Sequence, residues 1–480
     1  MPKTAALTDK AKKEIAKLLE DYVAGVAETQ AAINSRRDLG EVGKLLEGLD
    51  LSITSAFGRE SNFNRRPVTK ETISILQDAA HRLLVATRLS NRVSFDLSFS
   101  TLRDEIRVEV LESERKKLSF FNVIDRTLNI LKAELQHHRL YLFPVTYTHE
   151  TQPFDVEFGC LRIGDLKSFR DAHIWEDTEE LDDWKRDFDN TYQEAWDRVE
   201  QRAKHLIVVT IDGYELSMGD IAARAAAEFF LNLLRLSFGW SSHKNVRILE
   251  SNAEPSNMPT LILDHEAKPV SRTLSSGRSE FLPVKDGVSE EAIRSLSGYH
   301  FLKEVIDGIA RSASSKSVSL RRIEYASFLI KTAHEQNSTR IALTNFVAAL
   351  ETLACLDNEN SKKDTLSDRC SAIILDATDE ERERIGRVIK RAYDARNNVV
   401  HGDAYAERDY YKIFRDLEPW LFSLVISAID LLCYLEATHA PKSANQLRKV
   451  MREHFGDREK PKKGFARIIA LMRMNFPALR

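Results

Sequence analysis

The chain has 480 residues, 43% apolar and 30% charged, with a formal net charge of −3, a composition that excludes fibrous and disordered classes and leaves room for about three globular domains. So balanced a charge argues neither for nor against nucleic acid. Cys160, Cys355, Cys370 and Cys433 lie far apart with no CxxC pair, so they read as reduced packing residues of a cytosolic protein and not as a disulfide framework or metal site.

The opening "MPKTAALTDKAKKE" has no apolar core of the kind a signal peptide needs. From residue 8 to about 135 the pattern is helical: "KEIAKLLEDYVAGVAE", "ETISILQDAAHRLLVATRL" and "SFFNVIDRTLNILKAEL" place apolar residues at three- and four-residue steps. Residues 1–135 therefore read as an N-terminal helical region.

A mixed α and β region is expected over 136–288. "LYLFPVTY" (140–147), "FDVEFGCLRIG" (154–164) and "HLIVVTIDGYEL" (205–216) are β-branched and aromatic and bounded by Gly, Pro and Asp, as strands are. Between them, 171–200 carries twelve acids against Lys185, Arg186 and Arg198, with Trp175, Trp184, Tyr192 and Trp196 interleaved. This reads as a solvated helix pair anchored by its aromatics. "MGDIAARAAAEFFLNLLRLSFGW" (218–240) follows as an amphipathic helix with Asp220 near its start and Gly239 past its end. "VRILE" and "PTLILDHE" are further strand-like segments, and "SSGRS" (275–279) is a loop.

From Ser289 onward the chain reads as helix again, over 289–312, 318–336, 339–357, 363–377, 379–401 and 408–437. The fold class expected is mainly α with a mixed α+β middle domain and a C-terminal antiparallel helical bundle over 289–440. "PWLFSLVISAIDLLCYL" (419–435) is interrupted by Ser423, Ser427 and Asp430, which suits a buried core helix better than a membrane span. The tail, 441–480, reads as a basic helical tail with eleven Lys or Arg against three acids, equally a solvated terminal arm or one able to track a phosphate backbone.

The helix ending at His401 carries the chemistry. Ile385, Ile389, Ala392, Arg396 and Val399 form one stripe, so Arg396 stands in line with core residues and requires a carboxylate or phosphate to meet it. Asp394, Asn397 and His401 form a polar stripe beside it, and Arg396 and His401 are about 140° apart around the axis. Gly402 suits a left-handed helix stop, which puts His401 in the last turn, where unpaired carbonyls favour a protonated imidazole. A cation beside a titratable imidazole suits phosphate chemistry, and such acid–base help is typically worth about 10² to 10⁴ in rate. Glu351 and Arg369, on preceding helices, each flank an apolar face, and Glu351 is the natural counter-ion for either arginine. No Gly-rich phosphate loop, GxSxG elbow or HExxH is present. The adjacent His137 and His138 would point to different sides of a helix, and Asp182 and Asp183 read as surface charge.

The ordered set "ALETL", "LSDRCSAIIL" and "YDARNNVVHG" resembles the C-terminal part of the HEPN superfamily, particularly its Apea-like branch. The superfamily motif is Arg, a polar residue, three to five more residues and His; here it is Arg396, Asn397 and His401, with four residues between the arginine and the histidine. The match covers roughly 318–437, and "AEFFLNLLRLSFGW" (227–240) is similar to a helix upstream in that branch. The resemblance implies a four- or five-helix bundle that pairs as a homodimer, bringing two motifs to one cleft. It implies metal-independent, cofactor-free endoribonuclease activity, in which the RNA 2′-hydroxyl attacks the adjacent phosphodiester and leaves a 2′,3′-cyclic phosphate. His401 would move the proton, Arg396 would clamp the phosphate and Asn397 would orient, with Glu351, Arg369 and Asp394 in support. By the same resemblance the protein would be cytoplasmic, act in prokaryotic defence against phage or as a toxin, and use the regions ahead of 289 to sense a phage or cellular trigger. The competing expectation is a non-catalytic module, its bundle a surface for dimerisation or for docking nucleic acid or a partner.

Overall fold

The computed structural model describes residues 5–35, 69–112, 118–146, 155–172, 203, 205–238, 247–248, 259–264, 269–274, 300–311, 317–355, 362–374, 377–402 and 407–455. The chain divides into two compact units, Met1–His138 with Asp212–Ile221 and Arg139–Ile211 with Ala222–Arg480. The acidic stretch from 173 to 202, Gly239, the loop 275–279, the segment 289–299 and the tail beyond 455 lie outside the described residues.

Among its described residues the first unit has four helices, α1 (Asp9–Ser35), α2 (Lys70–Thr87), α3 (Phe95–Glu112) and α4 (Phe120–Glu134). Apolar residues at three- and four-residue steps turn one face of each inward. Leu19, Leu76, Leu83, Leu102, Val123 and Leu131 meet in one buried cluster. Thr69 caps α2 by accepting the Thr72 amide at 3.2 Å, and Arg88 ends it in the left-handed conformation at φ 60. In the polar shell Arg126 binds both Glu105 and Glu109, and Glu109 in turn accepts the Ser119 amide at the head of α4.

The second unit contains a seven-stranded sheet and a helical bundle. Strands β1 (His138–Thr146), β2 (Asp155–Phe158), β3 (Leu161–Asp165), β4 (His205–Asp212), β5 (Arg247–Ile248), β6 (Pro259–Asp264) and β7 (Pro269–Leu274) run in the order β2-β3-β4-β1-β6-β7, with β5 paired to β1. The β2–β3, β3–β4, β1–β5, β1–β6 and β6–β7 pairs are antiparallel. "FDVEFGCLRIG" is a hairpin of two strands, not one segment. Gly159 turns it at φ +63, and a Cβ there would collide with the Asp307 carboxylate, which accepts the Cys160 amide at 2.6 Å. The β4 side chains from His205 to Val209 are all buried, which explains an apolar run without alternation.

Helix α5 (Leu166–Ala172) follows β3, and α6 (Leu216–Phe238) follows β4. The head of α6 is held by Glu215, whose carboxylate accepts the Ser217 and Met218 amides at 3.1 and 3.4 Å; Asp220 falls in the second turn. Further along, Asn232 donates to the Ser327 hydroxyl at 3.1 Å, tying α6 to the bundle.

The bundle comprises α7 (His300–Arg311), α8 (Val318–His334), α9 (Thr339–Ala354), α10 (Lys362–Ile373), α11 (Asp379–His401), α12 (Glu407–His439) and α13 (Ala444–Phe455). Helices α9 and α12 are central: α9 packs on α8, α11 and α12, and α12 packs on α7, α8, α9 and α11. Phe346 of α9 stacks on Phe414 of α12 at 5.7 Å between centroids, and His334 of α8 stands edge-on to Phe346 at 5.2 Å. None of the four cysteines forms a disulfide; Cys355, Cys370 and Cys433 are buried. Among the described residues one segment, Glu407–Glu436, is long and apolar enough to cross a membrane, and 67% of its most apolar stretch is buried in the protein. Packing accounts for that apolarity, as expected for 419–435.

Candidate functional site

Helix α11 is punctuated at both ends. Thr378 and Glu381 form a reciprocal capping box at its start, and Gly402 stops it at φ 82, with its N–H donating to Val399. The stop places His401 in the last turn, exposed to solvent. The buried line along α11 runs through Ile385, Ile389, Ala392 and Ala395. Arg396 lies at the edge of that line, half-buried, because a 3.6-residue turn carries the inward face onto Ala395.

Three groups hold the Arg396 guanidinium. Its Nη1 donates to Asn397 Oδ1 at 2.9 Å, its Nη2 faces Glu351 Oε2 at 3.6 Å, and its Cζ lies 5.8 Å from the Tyr393 ring centroid. The Arg396 side chain is 27% exposed, that of Glu351 15%. The Nε is buried and makes no hydrogen bond among the described residues. Glu351 also takes a hydrogen bond from Lys362 Nζ at 2.9 Å, and that bond holds the lysine above its ordinary pKa.

Arg396, Glu351 and Lys362 line a cleft of about 510 Å³ in the second unit. Four of its described lining residues are cations, Arg321, Arg322, Lys362 and Arg396, against one carboxylate, Glu351, with Tyr325 beside them. Arg322 donates to the carbonyl of Cys355, which follows α9 and also lines the cleft. Four cations around one acid leave the cleft with excess positive charge, suited to a phosphate or another anion.

Other expected site residues are placed differently. Arg369 is buried and donates to the Ala354 carbonyl at 2.6 Å, satisfying the last turn of α9, while Glu351 pairs with Arg396. Asp394 pairs with Lys363 at 2.6 Å, tying α11 to the head of α10. Neither Asn397 nor His401 is among the residues lining the cleft. His138 begins β1 and contacts Asp212, so the pair His137 and His138 does not share a helix. Lys362, Arg321, Arg322 and Tyr325 escape a reading by motif. The available signal was the i, i+4, i+7 run of Arg321, Tyr325 and Phe328, which leaves charge and aromatic rings together on one face. Searched against protein families, curated proteins and solved structures, the chain finds no match.

Proposed function

We propose that the chain is a metal-independent endoribonuclease of the HEPN type, acting as a homodimer through the C-terminal bundle, with two copies of Arg396, Asn397 and His401 at one composite site. One observation carries this reading. Arg396, held by Glu351 and Asn397, stands in the wall of a cleft with an excess of cations, on the same helix that delivers His401 to solvent at its stop.

In this scheme His401 takes the proton of the RNA 2′-hydroxyl as the oxygen attacks the adjacent phosphorus. The bond from phosphorus to the 5′-oxygen breaks, that oxygen is protonated, and a 2′,3′-cyclic phosphate remains. Arg396 neutralises charge growing on the non-bridging oxygens, and Asn397 holds the guanidinium in place. Glu351 keeps Arg396 and Lys362 from repelling each other when no phosphate is bound. The proposed setting is the cytoplasm of a prokaryotic cell, in defence against phage or as a toxin, with the remaining regions answering a trigger.

The full chain is expected to cut RNA in excess EDTA and to leave cyclic phosphate ends, and His401→Ala is expected to slow cutting about a hundredfold or more without unfolding the bundle. Cutting that requires Mg²⁺ and survives His401→Ala would overturn the proposal.

A second reading, a non-catalytic docking module, is favoured by a different observation: the Arg396 charge already meets Glu351 and Asn397 within its own chain, and His401 stands outside the cleft. Under that reading no RNA is cut, and His401→Ala leaves nucleic-acid or partner binding unchanged.

A further inference from the structure

One wall of the cleft is α8, which supplies Arg321, Arg322 and Tyr325. Its inward face is conventional, with Ile323, Ala326, Ile330 and Ala333 buried. The outward face is not. Tyr325 is 57% exposed and Phe328 59%, and their rings lie 6.3 Å apart at 18° to one another. Two near-parallel aromatic rings left in water are a costly surface unless something flat covers them. Arg321 lies one turn before Tyr325 on the same stripe.

Rings and guanidinium groups side by side are how proteins grip unpaired nucleotides: the base stacks on the ring while the phosphate meets the cation. A base in a duplex is already stacked and cannot take this place. We propose that Tyr325 and Phe328 form a stacking shelf for an unpaired nucleotide of RNA, with Arg321 and Arg322 on its phosphate, so that the strand runs from α8 into the cleft toward Arg396. The inference rests on the ribonuclease reading and narrows its substrate to single-stranded RNA.

The test uses the full chain with His401→Ala, in EDTA, and follows the fluorescence anisotropy of a short labelled single-stranded RNA and of a blunt duplex of the same length. Adding Tyr325→Ala and Phe328→Ala is expected to weaken binding of the single strand roughly tenfold, the scale of one lost base–aromatic stack. Duplex binding stays unchanged, and Tyr325→Trp retains the affinity for the single strand. Both positions are exposed, so circular dichroism and the melting temperature should not move. Unchanged affinity for the single strand, no measurable binding of it by the starting chain, or an equal loss for the duplex overturns the proposal. So does a shift from dimer to monomer in sedimentation, since a second copy would then be what covers the rings. Cleavage by the unmodified chain, assayed separately, keeps the two ideas apart. Shelf-dependent binding without cleavage leaves the shelf standing and removes the nuclease; cleavage with shelf-independent binding does the reverse.

Discussion

Asp430 sits in the most apolar stretch of α12, 7% exposed, and burial drives its carboxyl from an ordinary 3.8 up to about 7. The folded chain therefore holds this proton between about pH 4 and 7 while the unfolded chain has released it. Stability falls as pH rises through that window, and above it a penalty remains of a few kcal/mol, at about 1.4 kcal/mol per pH unit. Asp430→Asn is expected to flatten the slope between pH 4 and 7 and to raise stability at pH 8; denaturant unfolding across pH measures both, and an unchanged slope contradicts the assignment. At Arg396 the sequence already demanded a counter-charge, because a guanidinium on a half-apolar stripe cannot be left unpaired. Glu351 answers that demand. That Arg369 spends its donor on the Ala354 carbonyl, and that Lys362 joins Glu351, could not be read from periodicity, which says which way a side chain faces but not what it meets there.

Among the elements, α11 was the most legible at its end, because the Gly402 stop is written in residue chemistry. The Thr378 and Glu381 capping box and Gly402 are local devices that need no tertiary partner. Nothing lies within 4 Å of a Cβ built on Gly402, so Gly402→Ala meets backbone strain alone at φ +82, about 1–2 kcal/mol. Thermal unfolding should show that loss, with a smaller one for Gly402→Asn, and if the proposed chemistry holds, RNA cutting falls along with the order of the turn bearing His401. Less legible was α3, "FDLSFSTLRDEIRVEVLE", whose β-branched and charged residues blur the helical period. The β2–β3 hairpin was hidden for another reason: Gly159 and Cys160 interrupt a run whose apolar alternation continues on both sides of the turn.

For the molecule as a whole, the rings of Phe346 and Phe414 join the two central helices of the bundle. Phe346→Ala is expected to cost about 3–5 kcal/mol, seen as a lower denaturant midpoint; a loss under about 1 kcal/mol would mean that the core repacks around the cavity. Residue patterns by themselves determined the helices of the bundle, most of the strands, the burial of 419–435 and the positions of Arg396, Asn397 and His401 on one helix, because periodicity, caps and turns act over a few residues. Only the tertiary structure decided that Arg321, Arg322, Glu351, Lys362 and Arg396 share one cleft. They come from four helices, and their meeting depends on how those helices pack against one another, a property of side-chain volumes summed over the whole core that no local spacing encodes.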